Sequence, residues 1–370
     1  VCVRGCEEIN LDLARWQESP SPAREIMRSY PSRNFPKRVW FEEAMPKMIL
    51  LLCLWSVTAL AYEPAQPIGE IEVVRLEWKD EKRKRHVPAK IYLRKENTVP
   101  SAVVIFSHGL GGSREGYEYL GRHWAGCGYV SVHLQHLGSD DAVWKEVGGA
   151  DRKKALNRAA FDFANAENRP RDVSFAIDAL TAANADTRSP LYQRLELGKI
   201  GVAGHSFGGF TALAVAGQTH GLPGSISLAD PRVKAVVQMS APVPQRASDR
   251  KQAFGRIKIP VFHLTGTKDD SLIGNTTAEQ RRIPFDSMKN AETSLLIFED
   301  GDHMIFSDAP RRDSAQQEQD AIFHRHICAA TTAWWDAYLR EDSAAKHWLL
   351  AGAFTERLGK SGRFETKKND

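Results

Sequence analysis

Between Lys199 and Ala216 the chain reads KIGVAGHSFGGFTALAVA, and few backbones accommodate that order of residues. Ile200 and Val202 suit a short buried strand, the glycines allow a sharp turn, and the small and apolar residues that follow suit a helix. At the turn stands G-H-S-F-G, Gly204 to Gly208. Ser206 would then occupy a strand-to-helix corner, flanked by glycines that spare the bend a Cβ clash. Its hydroxyl would project above a sheet, with the first N–H groups of the helix beside it. A strand entering such a corner needs paired neighbours and covering helices, so the rest of the chain should alternate strands with helices.

It does. Ile71–Trp78 and Val87–Arg94 each alternate apolar and polar residues and predict two half-buried antiparallel strands. The charged turn between them, Lys79 to His86, reads as a solvated hairpin loop rather than an anion-binding surface. Ala102–Phe106 is a continuous apolar run, the mark of a strand covered on both faces, and it leads into SHGLGG at Ser107–Gly112. Further strands are predicted at Tyr129–His133, Val233–Met239, Ile259–Leu264 and Ser294–Phe298. Helices are predicted at Glu115–Ala125, Arg171–Leu180 and Ala315–Leu339. The expected fold is α/β: a mostly parallel central sheet with an antiparallel N-terminal hairpin, right-handed crossovers and helices on both faces. Between Leu134 and Pro170 the periodicity weakens, and this excursion would lie over the carboxyl ends of the strands as a lid or pocket wall.

The first 61 residues read differently. Met48–Ala61 is an apolar run preceded by Lys47 and ending in Ala-Leu-Ala. It is too short for an ordinary membrane span and has the form of a secretory signal cleaved after Ala61. A lipoprotein reading at Cys53 fits poorly, because Leu52 precedes it. Residues 1–47 have no sustained periodicity and read as an extension upstream of a start at Met45 or Met48, leaving 62–370 as one domain. The mature chain would be exported, to periplasm or medium, with no remaining membrane span. Its two cysteines, Cys127 and Cys328, could form a disulfide or remain two buried thiols.

A serine hydroxyl is a poor nucleophile until an imidazole takes its proton, and the imidazole needs a carboxylate to fix its tautomer. In a sheet of this kind the order along the chain is serine, acid, histidine. GTKDDS at Gly266–Ser271 follows the Ile259–Leu264 strand, and GDHM at Gly301–Met304 follows Ser294–Phe298. The candidates are Ser206, His303 and one of two adjacent aspartates. Asp269 keeps the usual three-residue offset from Gly266, and Asp270 is the alternative. Backbone N–H groups of Phe207 and Leu110 are the candidate oxyanion donors, Leu110 following the His-Gly pair in SHGLGG. His108 reads as an organiser of that loop.

These motifs, SHGLGG, GHSFGG, GTKDDS and GDHM, resemble those of the α/β-hydrolase superfamily over 62–370. The nearest likeness is to its secreted branch of dienelactone-hydrolase-like, platelet-activating-factor-acetylhydrolase-like and bacterial cutinase/polyester-hydrolase proteins. The resemblance implies an ester hydrolase working through an acyl-enzyme. Dienelactone hydrolases use a cysteine where this chain has Ser206, so lactone cleavage is not implied. The eukaryotic acetylhydrolases carry the acid after the preceding strand, where this chain reads Met239-Ser240-Ala241; that favours position 269, the polyester-hydrolase placement. The paired C-terminal cysteines common in polyester hydrolases are missing, since Cys328 has no close partner in sequence.

Other readings carry less. A net charge of +4 over 370 residues gives no support to a nucleic-acid partner. No dinucleotide or phosphate-binding glycine motif appears, so no cofactor is expected. His133, His136, Asp140 and Asp141 have no metal-binding spacing and read as polar residues lining a pocket at a strand end. The partner implied is a small-molecule or lipid-like ester. An acyltransferase or peptidase using the same three residues, and an inactive binding protein on the same fold, are the alternatives.

Overall fold

A computed structural model describes residues 62–96, 99–219 and 227–367. The proposed leader and upstream extension lie outside them. Nine strands form one sheet: β1 (Ile71–Asp80), β2 (Arg85–Arg94), β3 (Ser101–Ser107), β4 (Val130–Leu134), β5 (Leu195–His205), β6 (Val233–Met239), β7 (Val261–Lys268), β8 (Thr293–Asp302) and β9 (Gly362–Lys367). Their order is β1-β2-β4-β3-β5-β6-β7-β8-β9. The run from β4 to β8 is parallel, while β1–β2, β2–β4 and β8–β9 are antiparallel.

Ten helices connect or flank the described strands: α1 (Glu118–Gly126), α2 (Ala142–Lys145), α3 (Gly149–Ala160), α4 (Phe163–Ala185), α5 (Phe207–Ala216), α6 (Ala247–Phe254), α7 (Ile283–Ser287), α8 (Ser314–Tyr338), α9 (Ser343–Leu350) and α10 (Ala353–Leu358). The pleat of β3 sorts its side chains to two cores. Val104 and Phe106 join Trp124 of α1 and Trp334 and Trp335 of α8. Val103 and Ile105 face Val173, Ile177 and Leu180 of α4, together with Leu213 of α5. After β3 the chain steps to one side for β4 and then returns to the other for β5. The carboxyl ends of β3 and β5 therefore border the crevice where open α/β sheets hold ligands.

Several local expectations change. Helix α4 does not wait for Pro170: it starts at Phe163, where Asp162 accepts the Ala164 N–H at 2.9 Å, and runs through the proline. The basic hairpin is only partly solvated, because Arg83 and Arg85 fold inward onto Asp80 and Asp172. His133 and His136 are both buried, His133 between the Tyr92 and Phe106 rings. Strand β9, short and half-buried, completes an edge that its polar sequence GRFETK does not announce. Cys127 and Cys328 are buried free thiols.

Candidate active site

Strand β5 ends at His205, and Ser206 follows with φ 57° and ψ −116°, a left-handed conformation that costs a non-glycine residue about 1–3 kcal/mol. The turn is held by its neighbours: the Ser206 N–H donates to Met239 O at 2.8 Å, and the Phe210 N–H donates to Ser206 O at 3.1 Å. A Cβ at Gly208 would lie 1.8 Å from Ser107 O, so only glycine lets α5 approach the end of β3. Ser206 is half-buried, with its hydroxyl at the sheet's carboxyl edge.

Strands β7 and β8 deliver the other two groups. Asp269 follows the end of β7, and His303 follows the end of β8. The two loops touch, since a Cβ on Gly266 would fall 2.1 Å from Gly301 O. His303 Nε2 lies 3.0 Å from Ser206 Oγ, and His303 Nδ1 lies 2.7 Å from Asp269 Oδ1. An ionised carboxylate only accepts, so Nδ1 carries the proton and Nε2 is left to accept the serine O–H. The structure separates the adjacent aspartates. Asp269 is fully buried against His303, whereas Asp270 is exposed and accepts the Ala278 N–H at 2.9 Å.

Asp269 is held from every side. Its Oδ2 accepts from Thr265 Oγ1 at 2.7 Å and from the Ser240 hydroxyl. Burial alone would raise its pKa, but the His303 hydrogen bond, the Arg281 charge and the Ser240 hydroxyl outweigh it and hold the carboxyl below its usual range. Arg281, itself buried, donates to the carbonyls of Asp269 (3.1 Å), Ser240 (2.7 Å) and Ala241 (2.9 Å), and its Nε is 3.4 Å from Asp269 Oδ1. Sequence reasoning missed Arg281 and Ser240. Ser240 directly follows β6, where a hydroxyl in place of an acid was the available signal.

Leu110 and Phe207 are brought together: their side chains share an apolar cluster with Phe210, Ala214 and Ala166. Among the described residues neither backbone N–H makes a hydrogen bond. Helices α2 and α3 seat on the glycine loop, Trp144 Nε1 donating to Gly111 O at 2.7 Å and Leu156 packing beside Gly111. His108 bridges within the loop, with Nδ1 2.6 Å from Gly109 O and Nε2 accepting the His136 N–H at 3.1 Å. His205 packs its ring 4.8 Å from that of His303 and places Nδ1 2.8 Å from the Tyr117 hydroxyl. Burial, and then the nearby His303, hold His205 well below the usual histidine range, so it stays neutral.

A family model described as PET hydrolase-like matches residues 157–355, more than half of the chain and the part that carries Ser206, Asp269 and His303. This chain belongs to the PET hydrolase-like family. The family consists of serine ester hydrolases on the α/β-hydrolase fold, and the nine-stranded sheet has that architecture. Curated proteins give no significant match to the chain. No helix among the described residues of this PET hydrolase-like chain is long and apolar enough to cross a membrane.

Proposed function

We propose that the protein hydrolyses carboxylic esters, with Ser206 as nucleophile, His303 as general base and then acid, and Asp269 as the group that orients His303. The observation that carries this reading is the unbroken line Ser206 Oγ, His303 Nε2, His303 Nδ1, Asp269 Oδ1, with steps of 3.0 and 2.7 Å. His303 takes the hydroxyl proton as Ser206 Oγ attacks the ester carbonyl. The tetrahedral oxyanion is met by the N–H groups of Leu110 and Phe207. Collapse expels the alcohol, which receives the proton from His303, and leaves an acyl-Ser206. Water attacks the acyl carbon, gives a proton to His303, and releases the acid as Ser206 regains its hydrogen.

The protein acts, in this reading, after export and removal of residues 1–61. The family description makes PET-type polyesters one class to test alongside soluble esters. A p-nitrophenyl ester panel from acetate to palmitate, run on wild type and Ser206→Ala with amide and alcohol-acceptor controls, tests it. Ester hydrolysis that disappears in Ser206→Ala supports the proposal. Amide turnover or acyl transfer faster than hydrolysis would replace it with a peptidase or acyltransferase, and an inert wild type would point to a binding protein.

A further inference from the structure

Beneath the glycine loop lies a second serine–histidine–aspartate line. Asp172 Oδ2 is 3.0 Å from His136 Nδ1, and His136 Nε2 is 2.9 Å from Ser107 Oγ. Asp172, His136 and Ser107 all show 0% exposure, so no substrate reaches Ser107. The line ends on a fourth group, Arg169, whose Nη2 is 3.1 Å from Ser107 Oγ. The proton directions are fixed by the ends. Asp172, ionised, accepts the Nδ1 hydrogen of His136, so Nε2 accepts the Ser107 O–H, and Ser107 Oγ accepts from Arg169.

Arg169 is fully buried on α4, and among the described residues no carboxylate bonds it; Asp172 is engaged by His136, Arg83 and Arg85. Its guanidinium instead bonds both segments that flank the proposed oxyanion donors, and Ser139 besides. Nη2 donates to Ser107 Oγ and to the carbonyl of His108, Nη1 to Ser139 Oγ at 2.8 Å, and Nε to Thr211 Oγ1 at 3.0 Å. Its Cζ lies over the Phe207 ring, 4.6 Å from the ring centre. Ser107 and His108 lead into the loop that carries Leu110. Phe207 and Thr211 belong to the first turns of the helix that follows Ser206. Burial lowers the guanidinium's pKa to about 9, partly opposed by Asp172, and it remains charged at neutral pH.

We infer that Arg169 is a positioning residue for ester hydrolysis: it fixes the spacing between the Leu110 N–H and the Phe207 N–H, with the Asp172–His136–Ser107 line as its mount. The inference rests on the proposed roles of those two N–H groups. It follows from the contacts, because Arg169 bonds the segment before one donor and the helix that begins at the other. A planar fork with several donors serves this purpose, and a lysine's single ammonium does not.

The test is Arg169→Met, with kcat expressed per active site titrated by a fluorophosphonate and with inhibition by phenylboronic acid, whose serine adduct carries a tetrahedral oxyanion. A purely structural role lowers the number of titratable sites and leaves kcat per site unchanged. A positioning role lowers kcat per site by about 10- to 100-fold, leaves KM within about threefold, and weakens boronic acid inhibition in parallel. Should Arg169→Met yield no soluble protein, Arg169→Lys and Ser107→Ala are judged by the same criterion. A kcat per site within twofold of wild type, in whichever of these fold, overturns the inference. Labelling of Ser206 in wild type separates the two levels. With Ser206 labelled and per-site kcat unchanged, only the role of Arg169 fails; with Ser206 unlabelled, the reading of the site fails and this one with it.

Discussion

Acidification should unfold this protein in a window set by histidines rather than carboxylates. His133, His136 and His263 are fully buried, and burial pulls them from the usual 6.5 to about 3, about 4 and about 3 respectively. His108 and His205 are held well below the same value, again chiefly by burial. In the folded chain His133, His136 and His263 stay neutral down to about pH 4, and His108 and His205 are held neutral in the same direction, whereas in the unfolded chain each binds a proton below about pH 6.5. Their contribution is therefore fully present above pH 6.5 and is lost as the pH falls toward the folded pKa. Each proton taken up on unfolding changes stability by about 1.4 kcal/mol per pH unit. His133, His136 and His263 together would give about 4 kcal/mol per unit, with His108 and His205 adding in the same direction, and such a slope would exhaust a stability of about 5–15 kcal/mol within a few units. Asp269 and Asp172 have lowered pKa values and add a loss only below about pH 4, as the pH falls through their folded values. Urea unfolding followed by tryptophan fluorescence, at half-unit steps from pH 7.5 to 4.5, measures the slope. At least about 3 kcal/mol per pH unit near pH 5.5 is expected. A slope under about 1.4 kcal/mol per unit, one proton or fewer, would refute the neutral buried cluster.

The adjacent aspartates should behave very differently. Asp269→Asn loses the acceptor that fixes the His303 tautomer and should lower kcat by about 10³- to 10⁴-fold, while Asp270→Asn, whose exposed carboxylate accepts the Ala278 N–H, should stay within a few-fold of wild type. Steady-state kinetics on p-nitrophenyl butyrate checks both, and the reverse ranking would move the acid to 270. Gly208→Ala would place a Cβ 1.8 Å from Ser107 O, where real contacts stop near 3.0 Å, so β3 and α5 must part by more than 1 Å. A displacement of that size should cost about 10²-fold in kcat. Gly198→Ala is the control, because a Cβ there meets nothing within 4 Å. Equal activity of the two variants would show that the loop and helix tolerate separation.

The parts of this architecture that sequence reveals are those fixed by local periodicity. Apolar runs such as Val103–Phe106 and Val202–Ala203 are buried whichever neighbours they have, and the polar turns that interrupt them must sit at strand ends. The proposed site residues Ser206, Asp269 and His303 could be picked out for that reason, each lying in the turn after a buried strand. Arg169 and Arg281 were not, since a single arginine becomes buried only when carbonyls and hydroxyls from distant segments converge on it. Ser107, Ser139 and Thr211 are far apart in the chain and meet only in the fold. The basic hairpin misled for the same reason: nothing local in Arg83 and Arg85 reveals that Asp172 lies beneath them. Strand β9 and the early start of α4 escaped because one is a half-buried polar edge and the other contains Pro170.

The central claim, that Ser206 is the nucleophile and the buried Ser107 is not, is tested most directly by mapping a covalent adduct. Wild-type protein treated with a fluorophosphonate should gain one label per chain, recovered by peptide mass spectrometry on the segment containing Ser206, with ester hydrolysis lost in proportion. Label on Ser107 or elsewhere, or full hydrolysis with Ser206 unmodified, would contradict the account.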